Sequence, residues 1–379
     1  MLNAIARFNI YFFSISSILF PVSIANKIFF IFAFVTLVLN FFSGTRFPRL
    51  YSPIIIISIY AVGFASSFAT DSNIDLSIQF FMSTLILLLV YYIYIYNVDF
   101  EKILFSCLII LACFTLFISM LHSFNLLPEY MKYFFEKYSL GSIGSRELAG
   151  ILVPMIHFGT VPILFLGVVI SCGYMLKRGL NFRNLLVLIV FLIVIVLSSS
   201  RALILLSFLY IFFMLYIRSG FLFKLALVCF ISIVIYINFK FIYMNLSSDD
   251  FSNSVKIGHV LGFFDYFSWH NLVLGNGLAS YYYSPGVSKL VAHTEITPLD
   301  QIRYFGLIPV IIIYGSLILP GIVLVLNEND THIKMKFLGF VMYLLMSLTN
   351  PVLFNSFGIL VILWWWSVLL KVRGYYNNA

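Results

Sequence analysis

A chain of 379 residues that is 62% hydrophobic and only 9% charged, with a mean hydropathy of +1.07, lacks the polar groups needed to cover a water-soluble globule; soluble domains carry about 25% charged residues. The net charge of +8 is no nucleic-acid footprint, because Lys and Arg fall mostly in short connections between apolar runs. The four cysteines, Cys107, Cys113, Cys172 and Cys229, lie inside apolar segments without the paired spacing of a metal site and read as core residues.

Apolar runs of about 20 residues, the length that crosses a bilayer core, recur along the chain. Segments such as PILFLGVVISCGYML do not alternate, which excludes a transmembrane barrel. The expectation is an all-α, polytopic transmembrane helical bundle. In chain order, twelve spans are predicted at about 8–23, 26–43, 51–68, 77–96, 103–122, 148–172, 181–199, 202–217, 221–241, 302–325, 336–349 and 354–371. The first follows Arg7 with no small-residue cleavage site behind it and reads as a retained helix.

The connections alternate in character. Arg46 and Arg49, then Lys177, Arg178 and Arg183, then Arg218 and Lys224, then Lys334 and Lys336, and finally Lys371 and Arg373 mark one side. By the positive-inside rule that side is cytoplasmic, together with both termini. The other side carries ATDSNID, a first loop at 123–147 and a long loop at 245–301 ahead of the tenth span. Residues 1–379 read as a single membrane domain without repeats or low-complexity tracts.

The external connections hold the unusual chemistry. Arg201 opens a span after Ser198, Ser199 and Ser200. A guanidinium deep in a bilayer costs about 2.5–3.5 kcal/mol even on lenient scales, so Arg201 marks an interface or a polar cavity. Snorkelling to headgroups satisfies that condition; so does an anion site, for which the small serines leave room. Arg146 precedes the sixth predicted span, with Gly150 and Pro154 in its first turns. A helix start there would offer free N–H groups and a partial positive charge to an anion. His157, deeper in that span, reads as a satisfied core histidine.

His293 is the candidate for acid–base work, since an imidazole titrates near neutrality. Glu295 and Asp300 are near enough in sequence to orient it or to act in its place. His122, His259, His270 and His332 read as solvated side chains. The GNG at 275–277 is a turn, too short for a phosphate loop, and the pair Asp249–Asp250 is too sparse a basis for a metal site. Tyr281, Tyr282, Tyr283, Phe264 and Trp269 offer flat faces, either for sugar rings or for the membrane interface.

Four signatures stand in order over the second two-thirds of the chain: Arg146–x3–Gly150–x3–Pro154; Ser200-Arg201-Ala202 opening a span; Leu274-Gly275-x-Gly277 within LGNG; and His293 followed by Pro298–Leu299 and Gly306, leading into the next span. In this order the chain resembles the O-antigen polymerase and ligase superfamily of bacterial membrane glycosyltransferases. The resemblance implies a GT-C-like bundle in the cell inner membrane, working at the periplasmic face on undecaprenyl-diphosphate-linked oligosaccharide. It implies no metal and no cofactor, with a chain-length regulator and a flippase as partners beside the membrane lipid.

Through the same resemblance, Arg146 and Arg201 would hold the lipid diphosphate, joined by Lys256 and Arg303, and His293 or Glu295 would serve the acceptor. Lys256 stands where relatives often carry Arg, a point charge in place of a bidentate fork. Thr294 replaces the usual Asn after the loop histidine, and Arg303 is a candidate to compensate for Lys256. The chemistry is consistent: fixed guanidinium groups in a water-poor cavity stabilise a departing diphosphate, and a base deprotonates the acceptor hydroxyl. The expected activity is polymerisation of repeat units. A ligase that moves finished polymer onto lipid A core shares these motifs. A transporter is disfavoured, because its ionisable residues would sit at mid-membrane depth and its halves would repeat.

Overall fold

In hydrocarbon a backbone must satisfy its own polar groups, so long apolar runs become helices. The computed structural model of the protein describes residues 2–21, 23–138, 140–148, 151–179, 181–237, 251–266 and 268–376. Helices α1 (Leu2–Leu19), α2 (Ile24–Phe42) and α3 (Ser52–Ser67) come first, then α4 (Ile74–Leu85), which runs through a single tight turn into α5 (Leu89–Ile95). They are followed by α6 (Phe100–Ser123), the short α7 (Glu129–Lys137), and strands β1 (Gly141–Leu148) and β2 (Ile151–Phe158). Next are α8 (Leu164–Arg178), α9 (Phe182–Leu197), α10 (Arg201–Arg218) and α11 (Phe221–Ile237). The last third contains α12 (Phe251–Tyr266), α13 (Trp269–Leu274), β3 (Tyr282–Ser284), β4 (Lys289–Val291), α14 (Thr297–Phe305), α15 (Leu307–Asn327), α16 (Thr331–Met346) and α17 (Gly358–Tyr376).

Among the described residues, seven helices are long and apolar enough to cross a membrane: Leu2–Leu19, Ile24–Phe42, Ile74–Ile95, Phe100–Ser123, Val161–Arg178, Arg201–Arg218 and Leu307–Asn327. Three shorter apolar helices, Ser52–Ser67, Phe182–Leu197 and Gly358–Val372, accompany them. Their outer faces are apolar, with Ile24, Phe42, Phe182 and Leu326 all largely exposed, as a lipid-facing surface requires. The interior is aromatic, with Trp364, Trp365 and Trp366 fully buried. Cys107 and Cys172 are core residues as expected; Cys113 and Cys229 are exposed, a correction that follows from helices apolar on all sides.

The sixth predicted span needs correcting. Residues 141–148 and 151–158 pair as antiparallel strands, and helical structure begins only at Val161. Ile151, Val153 and Ile156 are β-branched, which suits a strand. Pro154, opposite Ser145, would cost a hydrogen bond inside a helix but is tolerated in a strand with a free outer edge. The connection at 149–150, and with it Gly150, lies outside the described residues, as do Asp249 and Asp250.

Side-chain ties define the two ends of the bundle. At one end Glu101, in the first turn of α6, accepts from Lys336 Nζ at 2.6 Å and from Trp364 Nε1 at 2.9 Å. Lys371 pairs with Asp99 at 2.9 Å, Arg218 donates to the Met175 carbonyl at 3.2 Å, and Gly173 packs on His332. The starts of α6 and α16 therefore lie with the finishes of α8, α10 and α17. The finishes of α6 and α16 and the start of α10 must lie at the opposite end. There His122, closing α6, meets the Gly144 carbonyl of the hairpin at 3.2 Å, and the Ser347 carbonyl after α16 accepts from Thr297 N at 3.2 Å. The α3–α4 turn joins this end, with Tyr281 N donating to Asp71 O at 3.0 Å. The basic residues Lys177, Arg178, Arg218, Lys336 and Lys371 are grouped at the first end and the hairpin, Arg201 and α14 at the second.

Candidate functional site

Residues 251–266 and 268–305 form a small cap, joined to the main core through Leu278, Tyr304 and Phe305. Helix α12 packs on the β3–β4 hairpin, where Phe263, Tyr282 and Val291 form a separate buried cluster. His259 lies inside this cap at 5% exposure, its Nδ1 2.7 Å from Ser284 Oγ. The expectation of a solvated His259 is thus overturned, because α12 folds back onto β3. Burial holds its imidazole below the ordinary histidine range, against the opposing pull of Asp300 and Glu295.

Helix α14, TPLDQIRYF, carries the central network. Pro298 opens it, where a missing N–H costs nothing. The i, i+3 spacing places Asp300 and Arg303 side by side, and both side chains are buried. Asp300 Oδ1 accepts from Arg303 Nη2 at 2.9 Å, while Oδ2 accepts from Thr294 N at 2.7 Å and lies 2.9 Å from His293 Nδ1. Arg303 also donates to the Ala292 carbonyl at 2.9 Å, and its guanidinium is stacked between Tyr282 and Tyr304, 4.6 and 4.8 Å from their centroids. Tyr304 OH donates to the same carbonyl at 2.5 Å.

A buried carboxylate survives only when paired and hydrogen-bonded. Burial alone would push the Asp300 carboxyl up. The hydrogen bond from His293, the Arg303 guanidinium and the Thr294 N–H outweigh it and hold the group below the ordinary aspartate range. With Nδ1 committed to Asp300, the neutral ring of His293 carries its lone pair on Nε2. The His293 side chain is 36% exposed and rests edge-on against Phe80, 5.3 Å between centroids.

Beside this ring lies a pocket of about 50 Å³, lined by Tyr60, Phe80, His293, Asp300, Gln301 and Tyr304 and by the 351–355 turn. Gln301, 2% exposed, donates from Nε2 to Tyr60 OH at 3.2 Å and so ties α14 to α3. The LGNG turn locks the far end of α14: Asn276 N and Gly277 N donate to the Arg303 and Tyr304 carbonyls at 2.8 and 3.0 Å. Gly275 and Gly306 both adopt positive φ, +69° and +83°, and each backbone runs so close to the other segment that a Cβ would collide with it.

The expected site residues therefore divide. His293 meets Asp300 directly, whereas Glu295 turns to Lys256, with 3.6 Å between Oε2 and Nζ. Arg303 does not line the pocket; its guanidinium is enclosed within the cap as a positioning group. Arg201 is half-buried at the start of α10, after Ser199 at φ +55° and the extended Ser200. Arg146 lies on β1 opposite Val153. It is therefore not at a helix start, and the expectation for its side chain lies outside the described residues, as does that for His157. Arg146 and Arg201 nonetheless belong to the same end of the bundle as His293. Tyr282 is buried against Arg303, while Phe264, Trp269 and Tyr283 are exposed. Sequence reasoning missed Tyr60, Gln301 and Tyr304; only the adjacency of Gln301 to Asp300 hinted at one of them.

No model of a known protein family matches the chain, and no curated protein matches it.

Proposed function

We propose that the protein is a bacterial inner-membrane glycosyltransferase of GT-C-like, twelve-span architecture. In this reading it polymerises undecaprenyl-diphosphate-linked oligosaccharide repeat units at the periplasmic face. The observation that carries the proposal is the buried Asp300 carboxylate on His293 Nδ1, at the mouth of a pocket and at the bundle end that also bears Arg201 and the β1–β2 hairpin.

The step follows from that geometry. His293 Nε2 takes the proton of an acceptor hydroxyl as its oxygen bonds to the donor's anomeric carbon. The bond from that carbon to the diphosphate breaks, and the electron pair leaves with the lipid diphosphate. Arg201 and Arg146 stabilise the departing charge, assisted by Lys256. Arg303 acts through Asp300, and Glu295 keeps Lys256 in place.

The test is transfer by the purified protein from a defined undecaprenyl-diphosphate repeat unit. Laddered products and released lipid diphosphate are expected; their absence would overturn the reading. A deletion strain separates the two superfamily activities. Core carrying a single repeat unit marks a polymerase, and core carrying none marks a ligase.

A further inference from the structure

Two side chains that line the pocket beside His293, Gln301 and Thr297, each bury an oxygen, Oε1 and Oγ1, without a protein partner among the described residues. Gln301 Nε2 donates to Tyr60 OH at 3.2 Å, and in that orientation Oε1 is a pure acceptor. Native folds rarely keep a buried acceptor unsatisfied; where one persists, water or a ligand supplies the donor. About 50 Å³ admits a few waters or a hydroxyl-bearing carbon.

Charge narrows the choice further. The Asp300 carboxylate lines the same pocket, and the Gln301 oxygen can only accept, so an anionic group gains nothing here. Arg303 and His293 already pair with Asp300, so the pocket has no need of a cationic ligand. What fits is a neutral donor, the hydroxyl of a polyol.

We propose that this pocket is an acceptor subsite, in which Gln301 Oε1, assisted by Thr297, receives a sugar hydroxyl next to the one that His293 deprotonates. Gln301 is then a specificity-determining residue, and the lipid diphosphate is held elsewhere. The inference rests on the glycosyltransferase reading given above.

The experiment is steady-state transfer by the full-length protein in lipid nanodiscs, using lipid-linked acceptors that each lack one hydroxyl. In the wild type, one deoxy position raises the acceptor KM by roughly tenfold. Gln301→Met raises KM for the intact acceptor similarly, keeps most of kcat, and shows no further penalty with that analogue. Penalties that multiply, or no sensitive position in the wild type, would overturn the proposal, because a merely structural Gln301 leaves the hydroxyl preference intact. Thr297→Val, closer in shape, is the second variant and weakens the same preference. If the wild type transfers nothing, the glycosyltransferase reading fails by itself. Saturation-transfer NMR with methyl glycosides then decides: contact at one hydroxyl-bearing carbon that Gln301→Met removes supports the subsite, and no contact in the wild type overturns it.

Discussion

Asp300 and His293 meet at 2.9 Å, a fully enclosed carboxylate holding the inner nitrogen of a ring whose other edge is open. The carboxylate is thereby shared between an exposed imidazole and a buried guanidinium. Loss of His293 and loss of Asp300 should therefore have different consequences.

His293→Ala removes the proposed base and spares the cap, because the ring is partly exposed. Polymer synthesis should fall roughly 10²–10⁴-fold while the melting temperature in detergent stays near wild type. Wild-type product levels from this variant would remove His293 from the reaction.

Asp300→Asn strikes both functions. It releases the His293 tautomer and leaves Arg303 buried without its counter-charge, a loss of about 3–5 kcal/mol in comparable buried pairs. Both a lower melting temperature and lost transfer are expected, and thermal unfolding beside the ladder assay reads them together.

Arg303→Lys tests whether this cation positions or binds. A lysine cannot reproduce the flat stack between Tyr282 and Tyr304 from which Nη2 reaches both Asp300 and the Ala292 carbonyl. The expected result is destabilisation with an unchanged donor KM in whatever protein remains folded. A raised donor KM at full stability would return Arg303 to the diphosphate.

On the proposed diphosphate role, Arg201→Lys and Arg146→Lys should each abolish or sharply reduce polymer while the chain still inserts, since a point charge would replace a fork able to grip phosphate at two points. Immunoblots of membranes beside polysaccharide gels check both halves. Long polymer at normal level from Arg201→Lys would end the diphosphate assignment.

Acid should loosen the cap in two stages. His259 is held below the ordinary histidine range, so the unfolded chain binds its proton first, and stability declines as pH drops below about 6.5. Asp300 is held below its unfolded value of about 3.9. Its contribution is whole above that value and disappears as pH falls through the lower folded one. Melting temperature against pH should show both declines, with His259→Asn removing only the first.

Much of the architecture was legible because apolar run length is a strong signal. Helices lie where the long runs are, and the basic residues Lys177, Arg178, Arg218, Lys336 and Lys371 are gathered at one end as their alternation predicts. The hairpin was not legible: ILVPMIHF is a short apolar run, and periodicity alone cannot tell such a run from the start of a helix. At the site, His293 was found from its chemistry. Asp300 competed with Glu295 on sequence distance, and the turn that returns the chain through Pro298 decided between them. The Tyr60–Gln301 bond spans 241 residues, which no local pattern announces.

Among the described residues, strands β1 and β2 pair only with each other, so the outer edge of each presents backbone amides and carbonyls outside the ladder. Hydrocarbon tolerates no such edge. The hairpin therefore belongs where protein or water, and not lipid, meets its outer edges.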